Sequence, residues 1–136
     1  MRRTRLAIYK EKSDYIVTTI ESIPDTLESD IERSAAYYKL HTSIEATMDI
    51  IAMLLKDLGK DVGDDYTNIQ SLEGAKTITP KLAERLRRCT GLRNYLVHRH
   101  NGLDEEIVLD SIEEVKRTLL EFLGVSERLI NGLTKT

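Results

Sequence analysis

One segment of the chain, residues 91–100, combines side chains that could act together on a phosphodiester. It reads GLRNYLVHRH and contains Arg93, the polar Asn94 and, five positions after the arginine, His98. A histidine that titrates near neutrality can give and take protons, and an arginine makes charge-assisted hydrogen bonds to phosphate oxygens. These two side chains could therefore cleave RNA without a metal ion, the arginine stabilising a pentacovalent phosphate while the histidine moves protons.

The position of Arg93 in its helix needs a partner of opposite charge. Arg93 continues an apolar stripe whose other members are Leu82, Leu86, Cys89 and Leu96 or Val97. An arginine that faces a core is costly unless a carboxylate or a bound phosphate satisfies it. On the preceding long helix, Glu45 and Asp49 lie four positions apart and share one face. Glu45 could therefore hold Arg93 in place, and a purely structural Arg93–Glu45 ion pair is the alternative interpretation.

Spacing alone leaves two histidines as partners of Arg93. On an ideal helix, residues five apart lie roughly 140° apart, whereas residues seven apart nearly align. His100 would therefore share a face with Arg93, and His98 would not. His98 reaches Arg93 only if the helix ends or distorts near Val97, or if two subunits share the site. His41, four residues before Glu45, is interpreted as helix surface or as a neighbour of the cleft.

Charge is distributed unevenly along the chain. The net charge is −3, yet residues 81–100 carry six basic side chains and one acidic one. A basic segment on an acidic body suits a protein that binds phosphate at one place rather than a general nucleic-acid coat. The candidates for holding flanking RNA phosphates are Lys81, Arg85, Arg88 and Arg99. Alternatively, Arg85, Arg87 and Arg88 bind no phosphate and only form a solvated face of the helix.

Length and composition limit the remaining possibilities. A chain of 136 residues with 32% charged and 5% aromatic residues is typical of a single helix-rich domain. No apolar run approaches the roughly 20 residues that span a bilayer, no secretion signal follows the basic N-terminus, and the single cysteine forms no intrachain disulfide. We therefore expect a cytoplasmic protein. Neither a phosphate-binding glycine loop nor a zinc motif is present, so no metal site and no cofactor is predicted.

Apolar residues recur with helical spacing in four segments, and no segment alternates like a strand. The segments cover residues 6–23, 26–58, 79–97 and 104–133, with Thr79 and Pro80 as the predicted start of the third. A short extra helix is expected at 66–72. The pattern predicts an all-α, antiparallel four-helix bundle. The second helix has a further face, with Ile31, Ala35 and Tyr38, that would meet a partner or an active cleft.

The run Gly91-Leu92-Arg93-Asn94-Tyr95-Leu96-Val97-His98 resembles the signature of the HEPN superfamily, specifically of the HepT-like ribonuclease toxins. That signature is an arginine, a polar residue, a few variable positions and a histidine. Residues 43–50 resemble the family's long second helix with its acidic residue, and residues 102–106 resemble the entry to its last helix. The likeness extends over residues 5–130.

The resemblance implies a HEPN-like helical bundle that dimerises and brings two copies of the motif to a shared cleft. It implies an RNA-cleaving toxin, neutralised by a minimal nucleotidyltransferase antitoxin. It favours His98 as the catalytic histidine, with His100 as the second choice. In the mechanism that these residues suggest, Asn94 positions the phosphate or the histidine. In the family a tyrosine that the antitoxin modifies often stands where this chain has His100. Inhibition by binding, or modification at another tyrosine such as Tyr95, remains open.

Two other functions are compatible with the same residues. Some HEPN domains are non-catalytic modules that bind a nucleotidyltransferase or another protein, and Arg93 would then only stabilise the bundle. The other is a helper that binds nucleotides or the end of a tRNA through the basic segment.

Overall fold

The computed structural model describes residues 1–98 and 102–134, and this part of the chain forms five α-helices and no strand. The helices are α1 (Arg3–Glu21), α2 (Asp30–Asp57), α3 (Asp65–Gly74), α4 (Pro80–His98) and α5 (Glu105–Thr134). The predicted all-α class is confirmed, and the short helix expected at 66–72 is α3. No helix in the described part is long and apolar enough to cross a membrane.

Side-chain caps set the starts of α4, which carries Arg93 and His98, and of α5, which follows it. The Thr79 hydroxyl accepts a hydrogen bond from the backbone N–H of Leu82 at 3.1 Å, and Pro80 is the first residue of α4, as predicted. The Asp104 carboxylate accepts from the backbone N–H of Glu106 at 3.1 Å and so caps α5. These local signals can be read from the sequence because a cap involves only near neighbours.

Polar contacts between α1 and α2 show that these two helices run antiparallel. Near the start of α1, Tyr9 Oη donates to Asp57 Oδ2 at 2.5 Å, and Arg5 Nε donates to the same oxygen at 3.1 Å. Further along α1, Lys12 Nζ lies 3.3 Å from Asp49 Oδ2. Residue numbers rise on α1 as they fall on α2, so the end of α2 is fixed to the start of α1.

The start of α2 and the end of α4 lie at the same end of the bundle. Arg33 Nε in the first turn of α2 lies 3.5 Å from Glu105 Oε1 in the first turn of α5. The backbone N–H of Asp104, immediately before α5, donates to Tyr95 Oη near the end of α4 at 2.7 Å. α2 and α4 are therefore antiparallel, and α3 lies in the connection between them.

The predicted apolar stripes form the core. Buried side chains from all five helices meet in one cluster, which includes Ile16, Ile44, Leu72, Leu86 and Phe122. The further face of α2 stays outside this cluster, because Ile31 is 82% exposed and Tyr38 is 66% exposed. The bundle thus leaves one apolar surface of α2 without an intrachain partner in the described structure.

Candidate active site

Arg93 lies where the buried seam between α2 and α4 ends. One turn earlier on α4, the hydroxyl of the buried Thr90 donates to Met48 Sδ on α2 at 3.3 Å, which fixes the point where the two helices pack. Arg93 follows in the same apolar register, yet its side chain retains 26% exposure. The arginine can therefore occupy a core position because its guanidinium reaches the edge of the core.

Two polar side chains hold the Arg93 guanidinium. Nη1 donates to Asn94 Oδ1 at 2.9 Å and lies 3.8 Å from Asp65 Oδ2 in the first turn of α3. Nε is buried and has no hydrogen-bond partner among the described residues. The guanidinium is thus oriented by an amide and a carboxylate, with part of its donor capacity unused by these partners.

Arg93 has a different carboxylate partner from the one expected. Glu45 Oε2 lies 3.2 Å from His41 Nε2, whereas the arginine pairs with Asp65. The reason is that the short helix α3 begins near the C-terminal part of α4. Asp65, in the first turn of α3, therefore lies within ion-pair distance of the Arg93 guanidinium, and Glu45 does not. The acidic start of α3 was the available signal for this residue, but its partner depends on how α3 crosses α4.

Asp65 lies in a partly desolvated environment with other acidic side chains nearby. Desolvation by burial is the largest cause that raises the pKa of Asp65, and the charges of Asp49 and Glu45 raise it further. The positive charge of Arg93 acts in the opposite direction and lowers it. Glu45 is therefore part of the electrostatic environment of the Arg93 pair although it makes no ion pair with the arginine.

The side chain that binds Arg93 on α4, Asn94, lies one helical turn before His98. α4 is still helical at Val97 and at His98, its last residue, so the Cα positions of Arg93 and His98 lie roughly 140° apart around the axis. Asn94 and His98, however, are four residues apart and share a face, with Cβ atoms about 5–6 Å apart. Because Arg93 Nη1 bonds to Asn94, its guanidinium is drawn towards the face that carries the exposed His98. We call Arg93, Asn94, Asp65 and His98 the Arg93 site.

A tyrosine from α3 borders the same face of α4. A Cβ atom added at Gly91 would lie 3.7 Å from Tyr66 Oη, so the phenol rests close to the α4 backbone there. Gly91 and His98 are seven residues apart and therefore nearly align on the helix. Tyr66 was not identified as a site residue from the sequence, because only the packing of α3 against α4 shows it.

The basic residues earlier in α4 face another direction. Arg85 forms an ion pair with Glu121, and Arg88 Nε donates to Glu114 Oε1 at 3.0 Å, so both are bound to α5. Arg93 pairs instead with Asp65 of α3. The structure therefore does not bring Arg85 and Arg88 together with the Arg93 site, while Lys81 is exposed near the start of α4.

Two of the predicted site residues cannot be placed. His100, the second choice for the catalytic histidine, and Arg99, a candidate phosphate ligand, lie outside the described residues.

This five-helix bundle, with an arginine and a histidine near the end of α4, matches a known class of protein. The sequence profile of the family described as "Ribonuclease HepT-like" matches residues 11–125. The chain therefore belongs to the HepT-like ribonuclease family, and the resemblance predicted from residues 91–98 is confirmed.

Individual relatives agree with this assignment. A protein of Archaeoglobus fulgidus named "Putative RNase" is 52% identical over 133 residues, which cover 98% of each chain. A solved toxin–antitoxin structure with AMP-PNP superposes with a TM-score of 0.81 at 20% identity, covering 93% of this chain and 99% of that chain. A tri-AMPylated HEPN toxin of Shewanella oneidensis, solved with its MNT antitoxin, gives a TM-score of 0.72 at 19% identity over 94% of this chain and 99% of that one. The HEPN-like fold is thus confirmed.

Proposed function

We propose that this ribonuclease cleaves RNA internally and without a metal ion, through Arg93 and His98. One observation carries the proposal: Asn94 and Asp65 hold the guanidinium of Arg93 at the edge of the core, and Asn94 is one helical turn before the exposed His98. An oriented arginine beside an exposed histidine is the combination that phosphodiester cleavage requires.

The reaction uses a nucleophile that RNA itself provides. The 2′-oxygen attacks the adjacent phosphorus as its proton leaves, and the bond from phosphorus to the 5′-oxygen breaks. The products are a 2′,3′-cyclic phosphate and a 5′-hydroxyl. His98 transfers one of the two protons, and Arg93 stabilises the charge that grows on the phosphate oxygens. Asn94 keeps the guanidinium in position for this task.

We further infer that the protein is a cytoplasmic homodimeric toxin restrained by a nucleotidyltransferase antitoxin. The structurally similar toxins were solved with antitoxin, one of them with an MNT antitoxin, which supports a partner of that class. The exposed apolar residues Ile31 and Tyr38 on α2 offer a surface for a second copy. A second copy would bring a second Arg93 and a second His98 to the assembly.

Modification of Tyr95 would disturb the fold locally. Its hydroxyl accepts the hydrogen bond from the Asp104 N–H, so a nucleotide attached there would compete with the contact that fixes the start of α5. Tyr66 is the more accessible phenol beside the Arg93 site, with 45% exposure. An antitoxin that binds over the site needs neither hydroxyl.

The test is cleavage of total tRNA and of mRNA by purified protein in EDTA, with added Mg²⁺ as a comparison. We expect fragments that end in 2′,3′-cyclic phosphate, and we expect His98→Ala to abolish them. Loss only in His100→Ala would move the proton-transfer role two residues along the chain. Cleavage that occurs only with Mg²⁺ would contradict the metal-independent mechanism.

A non-catalytic interaction module is the second candidate. The exposed face of α2 favours it, and so do the ion pairs that already occupy Arg85 and Arg88. Absence of cleavage by the wild-type protein on every RNA tested, together with tight binding to a nucleotidyltransferase, would establish this second function in place of the first.

A further inference from the structure

A second histidine lies on α2 in a half-buried position that the Arg93–His98 mechanism does not use. His41 Nε2 is 3.2 Å from Glu45 Oε2, one turn further along the same helix, and the histidine side chain is 30% exposed. A carboxylate beside one ring nitrogen orients the imidazole and leaves the other nitrogen to face a reacting group. His41 and Glu45 thus form a histidine–carboxylate pair with the geometry of a proton-transfer unit.

The packing of α2 against α4 places this pair at the same height along the bundle as the end of α4 that carries Arg93. The contact between Thr90 and Met48 fixes the level at which the two antiparallel helices meet. Arg93 follows Thr90 by three residues on α4, and Glu45 precedes Met48 by three residues on α2. Because the two helices are antiparallel, Arg93 and Glu45 lie at the same height along the bundle. Another four residues, about 6 Å at 1.5 Å per residue, bring His41 level with Val97.

His41 and Val97 also lie on the faces of α2 and α4 that pack against each other. Met48 and His41 are seven residues apart, so His41 lies on the side of α2 that faces α4. Thr90 and Val97 are also seven residues apart, so Val97 lies on the side of α4 that faces α2. His98, the next residue, is turned away from Val97 by about 100°. His41 and His98 therefore approach the end of α4 from two different sides.

We propose that His41, oriented by Glu45, is a second proton-transferring residue of the Arg93 site, provided by the same chain. This inference rests on the ribonuclease mechanism proposed above. An in-line displacement at phosphorus has its entering and leaving oxygens on opposite sides, so it needs two proton-transfer groups that approach from different directions. His41 on the α2 side and His98 on the outer face of α4 meet that requirement.

The two histidines divide the reaction between them. One imidazole takes the proton of the 2′-hydroxyl while the bond from the 2′-oxygen to phosphorus forms. The other imidazolium gives its proton to the 5′-oxygen while the bond from phosphorus to that oxygen breaks. Exchange with water restores both histidines after the products leave. Glu45 acts as a positioning residue because it touches His41 and not the substrate.

The first experiment measures cleavage of a short RNA by His41→Gln and Glu45→Gln. We expect His41→Gln to lower kcat by about 10²–10⁴-fold with little change in KM, and Glu45→Gln to lower kcat less. Lys39→Gln is the matched control, because Lys39 lies on the same helix and its ammonium donates to the backbone oxygen of Ser22 at 3.5 Å, away from His41 and Glu45. Unchanged circular dichroism and Tm in all three variants exclude loss of the fold.

A substrate with a bridging sulfur separates proton transfer from a structural effect. Replacing the 5′-oxygen by sulfur gives a leaving group that departs without a proton. We expect the sulfur substrate to restore cleavage in one of the two variants His41→Gln and His98→Gln and not in the other. Glu45→Gln should respond to sulfur as His41→Gln does, and it provides the same test if His41→Gln does not fold.

Different results would contradict the role of His41 and the ribonuclease function on which that role rests. Near wild-type cleavage by His41→Gln, or the same sulfur response in both histidine variants, would overturn the role of His41. If His41→Gln is active and Arg93→Ala is inactive, the ribonuclease mechanism stands without a role for His41. An inactive wild-type protein would overturn both.

Discussion

Replacing Arg93 with alanine distinguishes a catalytic arginine from a structural one. The Arg93–Asp65 pair is long, at 3.8 Å, and its side chains are 26% and 32% exposed. A pair of this kind contributes at most about 1 kcal/mol, and the hydrogen bond to Asn94 adds roughly another 1 kcal/mol. We therefore expect a loss of unfolding free energy of about 1–2 kcal/mol, or roughly 4–8 °C in Tm.

The expected loss of catalysis is larger than this loss of stability. Removing a group that stabilises charge in the transition state typically costs about 10²–10³-fold in kcat, or roughly 2.7–4 kcal/mol. The assay is single-turnover cleavage of a labelled RNA beside a thermal melt. We expect Arg93→Ala to be folded at the assay temperature and nearly inactive.

Arg87→Ala is the matched control for this prediction. Arg87 lies on the same helix and pairs with Glu73 at 2.5 Å and with Glu84 at 3.2 Å, while its side chain is 31% exposed. Its removal should lower Tm by a similar amount and leave cleavage unchanged. An Arg93→Ala protein that unfolds, or one that cleaves as well as Arg87→Ala, would refute the reasoning and support the structural ion pair.

Three further predictions concern pH, stability and salt. Because burial raises the pKa of Asp65 in the folded state, ionisation of this carboxyl costs stability, and that cost sets in as pH rises through its folded-state pKa. Urea unfolding at pH 3.5 and 6.5 should therefore show Asp65→Asn gaining stability over wild type at the higher pH; a difference independent of pH would contradict this. Tyr9→Phe removes the hydrogen bond to Asp57 and should cost about 1.5–3 kcal/mol in chemical denaturation while leaving cleavage intact; lost cleavage in a folded variant would contradict it. Arg88 is bound to Glu114, so Arg88→Gln should change the slope of log affinity against log salt by less than the roughly 0.7 expected for a full contact with single-stranded RNA. A change near 0.7 would show that Arg88 leaves Glu114 to bind phosphate.

The core and the helix starts could be predicted because they depend on local patterns. The spacing of three and four that contains Ile44 and Met48 identified the buried side of α2, and Thr79 with Pro80 identified the start of α4. Arg93 was recognisable in the same way, as a charged residue in an apolar register. Such features need only the helical period and the chemistry of neighbouring residues.

The partners of Arg93 could not be predicted because they depend on how separate helices cross. The sequence offered Glu45 as the carboxylate, and only the position of α3 shows that Asp65 is closer. The same holds for His41, whose sequence context resembles any helix surface. Its place near the Arg93 site follows from the contact between Thr90 and Met48, which joins residues 42 positions apart.

The hydrogen bond from the Asp104 N–H to the Tyr95 hydroxyl closes a loop between two residues nine positions apart. His98 lies three residues after Tyr95, on the segment that this bond encloses. Tying the two ends of a segment together removes much of the conformational entropy it would otherwise have. In the proposed mechanism, part of the ordering of His98 is therefore achieved during folding, before RNA binds. In the proposed mechanism Tyr95 therefore contributes to preorganisation, because a His98 that is already confined loses less freedom when it meets its substrate.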